Sequence, residues 1–358
     1  MSAVVRLATA PRRKPRLALL GTGVVGSALI ERHARLQARG TELPAFAWLA
    51  NSRGIEPGCD DLAACVQRLR LAAAHDGTVP AWDRADDLAT GDIVIDATAS
   101  DAVAARHADW LGRGVHVVTA NKLGTGAELL RAQQIAHAAG SGHSRYGDSA
   151  TVGAGLPLLR SLRALVAGGD RISRVEGVLS GSLAWLFNRF DGSQPFSDLV
   201  RQARVAGYTE PDPRIDLSGE DVRRKLLILA RAAGLALQAQ DVHVQSLVPD
   251  ALAAADQDGL DAALATLDAP LAEQASRALA QGARLRFVGR FDARGASVSL
   301  QALRAEHALC GGAGTDNRVA IHSDRYPEQP LLVQGPGAGA EVTAAALLDD
   351  VLEIVRRH

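Results

Sequence analysis

The run GTGVVG, residues 21–26, directly follows the short apolar stretch 16–20 and opens a segment of helical pattern reaching about residue 38. No other feature constrains the fold as far. A strand that ends in a glycine turn and enters a helix starts a βαβ unit, whose strands lie parallel. There Gly21 permits the tight turn, Gly23 lets the backbone approach a pyrophosphate, and Gly26 lets helix and strand pack closely. The helix N-terminus adds free amides, those of Thr22, Val24 and Val25 among them, and the positive end of a dipole. The ligand such a loop suits is a dinucleotide. Strand pattern recurs at residues 45–50, 93–97 and 115–119, with helical segments such as 101–111 between the last two. Alternation of this kind implies a doubly wound parallel sheet covered on both faces.

The fold class expected is therefore α/β, with a Rossmann-type nucleotide-binding domain over residues 16–150. After residue 146 the pattern changes. Helical segments at 156–166, 183–190 and 220–233 and strand-like runs at 172–179, 285–291, 297–303, 319–322 and 331–334 suggest a mixed α+β domain over 151–334, its helices on one face of the sheet. Residues 251–280 read as an alanine-rich helical insert. The glycine-rich 335–339 would turn the chain back, and a helix over 341–356 would return to the first domain, making 335–358 a separate C-terminal segment.

With 358 residues the chain is long enough for roughly two domains. A net charge of -1 provides no general field for nucleic acid or an anionic membrane, and no apolar stretch approaches the ~20 residues of a membrane span. Cys59, Cys65 and Cys310 form no metal-ligand pattern, and their odd number argues against a secreted disulfide framework. A cytoplasmic location follows. Residues 1–15, basic and free of acids, read as a flexible leader, with an organelle transit peptide as the alternative. Of 39 basic residues only Lys14, Lys122 and Lys225 are lysine. Where arginine serves for charge nearly everywhere, a surviving lysine is a candidate for work that needs a transferable proton, which a guanidinium cannot release near neutral pH.

Two of these lysines sit in informative places. TANK, 119–122, puts Lys122 at the carboxyl edge of the parallel sheet, where such sheets present groups to ligands. GYTEPDPRIDLSGEDVRRKLLILA, from Gly207, crowds Glu210, Asp212, Asp216, Glu220 and Asp221 before a helix. Asp221 and Lys225 are four apart and share a face of that helix, whose following residues are apolar. Lys225 beside carboxylates could donate a proton; a surface ion pair is the plainer reading. At the end of the second strand, Asn51, Ser52 and Arg53 stand where an acid would bind a ribose diol. A hydroxyl and a guanidinium suit a 2′-phosphate, favouring NADP over NAD, unless Arg53 is a solvated charge. Thr98, in DATAS, could touch the cofactor, while Ser100 could simply cap a helix. The glycines of TVGAGLP, 151–157, could turn carbonyls toward a ligand or a monovalent cation, or make a tight loop.

Together the glycine loop, HVVTANK, ATVGAGLP, SGSLAWLFN, the GYTEPDP segment with its lysine, and GPGAGAEVTA resemble homoserine dehydrogenase over nearly the whole chain from Arg16. The resemblance implies interconversion of aspartate 4-semialdehyde and L-homoserine, in threonine and methionine biosynthesis, by a homodimer whose second domain also dimerises. Lys225 matches the proton donor, Lys122 a lysine touching cofactor and substrate, and Asp221 the carboxylate near the reacting oxygen. Glu210 matches the acid that binds the substrate amino group; Asp216, Tyr208 and Gly177 match lesser substrate positions, and Gly335 a glycine reaching back to the cofactor. Backbone carbonyls of Val152, Ala154 and Leu156 match a sodium-linked loop. That loop departs from the family, because Ser149 stands where relatives have an acid and Asp148 lies one residue earlier. The chain looks like the short monofunctional form, without a regulatory ACT domain or fused aspartokinase. Two rivals remain: another amino-acid or semialdehyde dehydrogenase of similar architecture, of which a phosphorylating one would need a nucleophilic cysteine that no motif here supplies, and a non-catalytic NAD(P) sensor, which would have no use for Glu210, Asp221 and the two lysines.

Overall fold

The computed structural model describes residues 13–58, 60–73, 83 and 87–357. Cys59 and residues 1–12 of the leader lie outside them. Strands β1 (Leu17–Leu20), β2 (Phe46–Ala50), β3 (Ile55–Pro57), β4 (Ile93–Asp96), β5 (His116–Thr119) and β6 (Tyr146–Gly147) form one sheet in the order β3-β2-β1-β4-β5-β6. All its pairs are parallel except β2 with β3. The β1 sequence LALL shows why these strands are continuously apolar. Leu17 and Leu19 pack with Leu29, Leu347 and Val351 on one face, while Ala18 and Leu20 pack with Trp110, Leu111 and Ile135 on the other. From β1 the chain crosses to β2, whereas β4 lies on the opposite side of β1. Order reverses there, and a crevice opens at the carboxyl ends of β1 and β4.

The helix returning at the end, Ala340–Arg356, covers this first sheet, and Arg35 ties to its Glu341 at 3.0 Å. The helix expected over 101–111 is two short pieces, Asp101–Ala104 and His107–Gly112, and the break coincides with His107, whose ring turns inward to Asp96. Strands β3 and β6 and helices Leu62–Leu71, Leu129–Gly140 and Phe196–Val205 are further elements beyond those expected.

Strands β7 (Ile172–Val178), β8 (Val242–Val244), β9 (Ala283–Asp292), β10 (Gly295–Arg304), β11 (Asp316–Ser323) and β12 (Leu331–Pro336) form a second, mixed sheet in the order β12-β11-β7-β9-β10-β8. One face carries helices Leu158–Ala167, Gly181–Arg189, Phe196–Val205, Glu220–Ala232 and Asp268–Ala280, joined through Phe187, Phe196, Leu229, Phe287 and Phe291. The alanine-rich insert is not one helix. Gly259 N–H donates to Asp256 at 2.7 Å, and this turn separates Asp250–Ala253 from Leu260–Ala263 before the Asp268–Ala280 helix begins. Among the described residues no helix is long and apolar enough to cross a membrane.

Candidate active site

A cavity of about 1050 Å³ lies between the carboxyl edge of the first sheet and the Glu220–Ala232 helix. Its floor is an ionic triad. Lys225 Nζ donates to Asp221 Oδ2 at 2.8 Å, and Lys122 Nζ lies 3.3 Å from Asp221 Oδ1. The i,i+4 spacing brings Asp221 and Lys225 together on one helix, whereas Lys122 arrives from the turn after β5. Burial pushes the Asp221 carboxyl up, but the two ammonium groups outweigh it and hold that carboxyl well below the usual carboxylate range. Asp221 therefore stays ionised and cannot be the acid at neutral pH. The Lys225 side chain is only 10% exposed, and its ammonium also donates to the Leu179 carbonyl at 2.8 Å. Two of its three N–H groups are thereby engaged. The third remains for a ligand oxygen in the cavity.

On the opposite wall Glu210 carries a carboxylate with no partner among the described residues, suited to an ammonium group. Asp216 lines the same wall but spends its oxygens within the protein, accepting from Ser182 Oγ at 2.6 Å and from Glu210 N–H at 2.8 Å. It fixes the loop that presents Glu210. Tyr208 also lines the cavity, against Trp185. Gly177 does not reach it. That residue sits inside β7, between Val319 of β11 and Gly289 of β9, and an added Cβ would meet Val319 at 3.0 Å. Ser180, three residues on, lines the cavity together with Gly181 and Ser182.

The glycine loop stands at the same cavity. A Cβ on Gly21 would fall 2.8 Å from the Ala97 carbonyl and one on Gly26 1.9 Å from the Gly21 carbonyl, whereas one on Gly23 would meet nothing. Gly21 and Gly26 are thus required by close packing, and Gly23 leaves open the space a pyrophosphate needs. Val24, Val25 and Thr98 line the cavity, so the residues present fit a dinucleotide. Thr22 turns inward instead, accepting from Asn51 Nδ2 at 3.0 Å. Asn51 also accepts from the backbone N–H of Arg53 and Gly54, shaping the turn that carries Ser52 and Arg53. Ser100 caps the Asp101–Ala104 helix, as its structural reading had it. Gly335 stays within β12, facing Leu156. The returning chain lines the cavity with Gly337, Ala338, Gly339 and Ala340 instead, because β12 extends as far as Pro336.

Two features escaped the sequence. Arg70 Nη2 donates to Ser27 Oγ at 2.7 Å and Arg53 Nη1 donates to the Arg70 carbonyl, so two guanidinium-bearing residues meet at the start of the first helix. No motif spacing announces Arg70. Behind the cavity, fully buried Asp96 accepts from Thr98 Oγ1 at 2.6 Å and from Asn121 Nδ2 at 2.9 Å, and His107 bridges it to Tyr146. An aspartate ending an apolar strand was the only available signal.

The side chains beside the sodium-linked loop are paired within the protein. Asp148 is buried and held by Arg163 through two bonds of 2.6 and 2.7 Å. Ser149 Oγ donates to Asp350 at 2.8 Å and lies 3.2 Å from Arg160 Nε. Guanidinium groups thus occupy the acid side of the loop, and the Leu156 carbonyl already accepts from Leu158 N–H at 2.8 Å. Val152 is fully buried, and Ala154 is left-handed at φ 50°.

Residues 157–352 match a family profile described as "Homoserine dehydrogenase", and residues 21–146 one described as "Homoserine dehydrogenase, NAD binding domain". The homoserine dehydrogenase of Emericella nidulans is 35% identical over 377 residues, covering 95% of this chain and 98% of that protein. The chloroplastic bifunctional aspartokinase/homoserine dehydrogenase 2 of Zea mays is 45% identical over 265 residues. That match covers 73% of this chain but 29% of the maize protein, so the chain spans under a third of that relative's length. Among solved structures, a Candida auris protein of unknown function aligns with TM-score 0.84 and 32% identity, covering 96% of this chain and 99% of the other. A hyperthermophilic archaeal homoserine dehydrogenase in complex with NADPH shares the fold at TM-score 0.73 and 20% identity, covering 97% and 99%. The profile over residues 157–352 and the nearly full-length fungal match lead to one conclusion: the chain belongs to the homoserine dehydrogenase family.

Proposed function

We propose that this chain interconverts L-aspartate 4-semialdehyde and L-homoserine with a nicotinamide cofactor. The observation that carries the reading is the Lys122–Asp221–Lys225 triad on the floor of a cavity shared with the glycine loop. Bound there, the nicotinamide supplies the hydride. The free N–H of Lys225 faces the reacting oxygen and protonates it as negative charge develops, while Asp221 keeps the lysine in place. Lys122 holds and polarises the substrate from the sheet side, and Glu210 takes its ammonium group. Thr98 and residues 337–340 flank the cofactor.

NADP is the preferred cofactor in this reading, supported by Arg53 with Arg70 beside it and by the absence of an acid at residues 51–53. The proposal also includes a homodimer formed through residues 151–334, expected to sediment at twice the 37.4 kDa chain mass. Absorbance of reduced cofactor, followed with homoserine and with aspartate semialdehyde, tests the activity. No homoserine-dependent reduction of either NADP or NAD would overturn it.

A further inference from the structure

Lys122 reaches Asp221 from a different part of the fold, so something must fix the turn after β5 against the Glu220–Ala232 helix. The closest approach is at Gly126. Its N–H donates to the Lys122 carbonyl at 2.7 Å, and an added Cβ would lie 2.7 Å from that oxygen, 2.9 Å from the Arg224 carbonyl and 3.0 Å from Ile228 Cδ1. Only a hydrogen fits between turn and helix. On either side of this glycine, the carbonyls of Thr125 and Ala127 accept from one guanidinium, Arg231, at 2.6 and 2.9 Å. Arg231 sits in the last turn of the same helix, and its remaining bonds go to the Leu237 carbonyl at 3.2 and 2.9 Å. It has no carboxylate partner among the described residues. Burial without a counter-charge pushes its guanidinium down from the usual value. A half-buried arginine whose four hydrogen bonds all go to backbone carbonyls is built for geometry, because its planar fork spans acceptors that a lysine ammonium cannot hold in the same way.

We propose that Arg231 is a positioning residue for the reacting centre. It clamps the carbonyls flanking Gly126, presses the turn onto the helix and thereby sets Lys122 against Asp221 and Lys225. The inference rests on the homoserine reading for its kinetic consequence, but the clamp itself can be observed without turnover. The sheet side of the turn is held separately, Asn121 donating to Asp96 and Arg131 to the Leu123 carbonyl at 3.1 Å. Loss of Arg231 should therefore loosen the turn without unfolding it.

Arg231→Ala and Arg231→Lys should both lower kcat/KM for homoserine by about 10- to 100-fold, the scale of a small misplacement of a reacting group. Affinity for NADPH, read by fluorescence titration, should stay within about twofold, since Arg231 does not line the cavity. Gly126→Ala should give the same pattern by wedging turn from helix. Made in a Lys122→Ala background, Arg231→Ala should cost less than about twofold more, because the side chain it acts through is gone. In the single variant, amide hydrogen exchange should speed up over residues 122–127 and not across β4 or β5. Wild-type kcat/KM in Arg231→Ala, an equal loss in both backgrounds, or unchanged exchange over 122–127 would each overturn the proposal. If the wild-type chain fails to oxidise homoserine, the functional reading falls, and the exchange experiment still decides whether the clamp exists.

Discussion

Lys225→Arg and Lys225→Ala are both expected to lose about 10²-fold or more in kcat, the contribution typical of a general acid. The arginine variant is the sharper test. At 10% exposure, with the Leu179 carbonyl and Asp221 each 2.8 Å from its nitrogen, Lys225 is held by contacts set for a compact ammonium, which a planar guanidinium cannot reproduce at the same place. Even if accommodated, arginine would keep the charge while being unable to release a proton near neutral pH. Cofactor affinity should survive in both variants, because the glycine loop belongs to the other half of the fold. Lys14→Arg should change nothing: that lysine pairs with Glu42 at 2.7 Å on the open surface. A Lys225→Arg enzyme with most of its kcat would reduce the position to a charge and pass the proton to Lys122 or water.

The second large effect concerns the cofactor. Removing both guanidinium groups in Arg53→Ala/Arg70→Ala should lower kcat/KM with NADP by about 10²-fold, on the scale of two charge-assisted hydrogen bonds to a phosphate. With NAD, which lacks the 2′-phosphate, the change should be small, so the double variant should lose or reverse the preference. Each single variant should fall between, and Arg70→Ala should cost less than Arg53→Ala, since the bond that places Arg53 runs to the Arg70 backbone carbonyl, which alanine retains. Equal losses with both cofactors would mean that these residues hold the loop and not the phosphate.

The features legible in sequence were those decided locally. GTGVVG lies between LALL and an uninterrupted helix, so strand, turn and helix each carry their own signal, and the three glycines meet different neighbours for reasons of close approach. The Asp221–Lys225 pair was legible because four residues of helix place side chains together regardless of the rest of the chain. Strands β3 and β6, three and two residues long, are too short for alternation to register. Gly177 and Gly335 matched by position but sit in the sheet, and their near neighbours Ser180 and Gly337 reach the cavity instead. The partners of Asp148 and Ser149 beside the glycine-rich 151–157 loop were hidden for a tertiary reason: Arg160, Arg163 and Asp350 converge on them from up to 201 residues away. Arg231 carries no motif at all, because its role appears only once the turn it grips has been laid against the helix.

The helix Ala340–Arg356 gives the fold an order of assembly. Leu347 and Val351 complete the face of a sheet whose first strand begins at Leu17, more than 300 residues earlier. During synthesis, β1 to β6 must wait with part of one apolar face, the part that Leu29 and Leu69 leave open, uncovered while the whole second sheet is made. The mixed domain, whose strands and helices lie within residues 158–336, can bury its own core before that. The N-terminal half should therefore be the last to become protease-resistant. Chains halted near residue 338 should be cut within residues 17–147 and spared within 158–336; equal protection of both would show that the first sheet closes without its late-arriving helix.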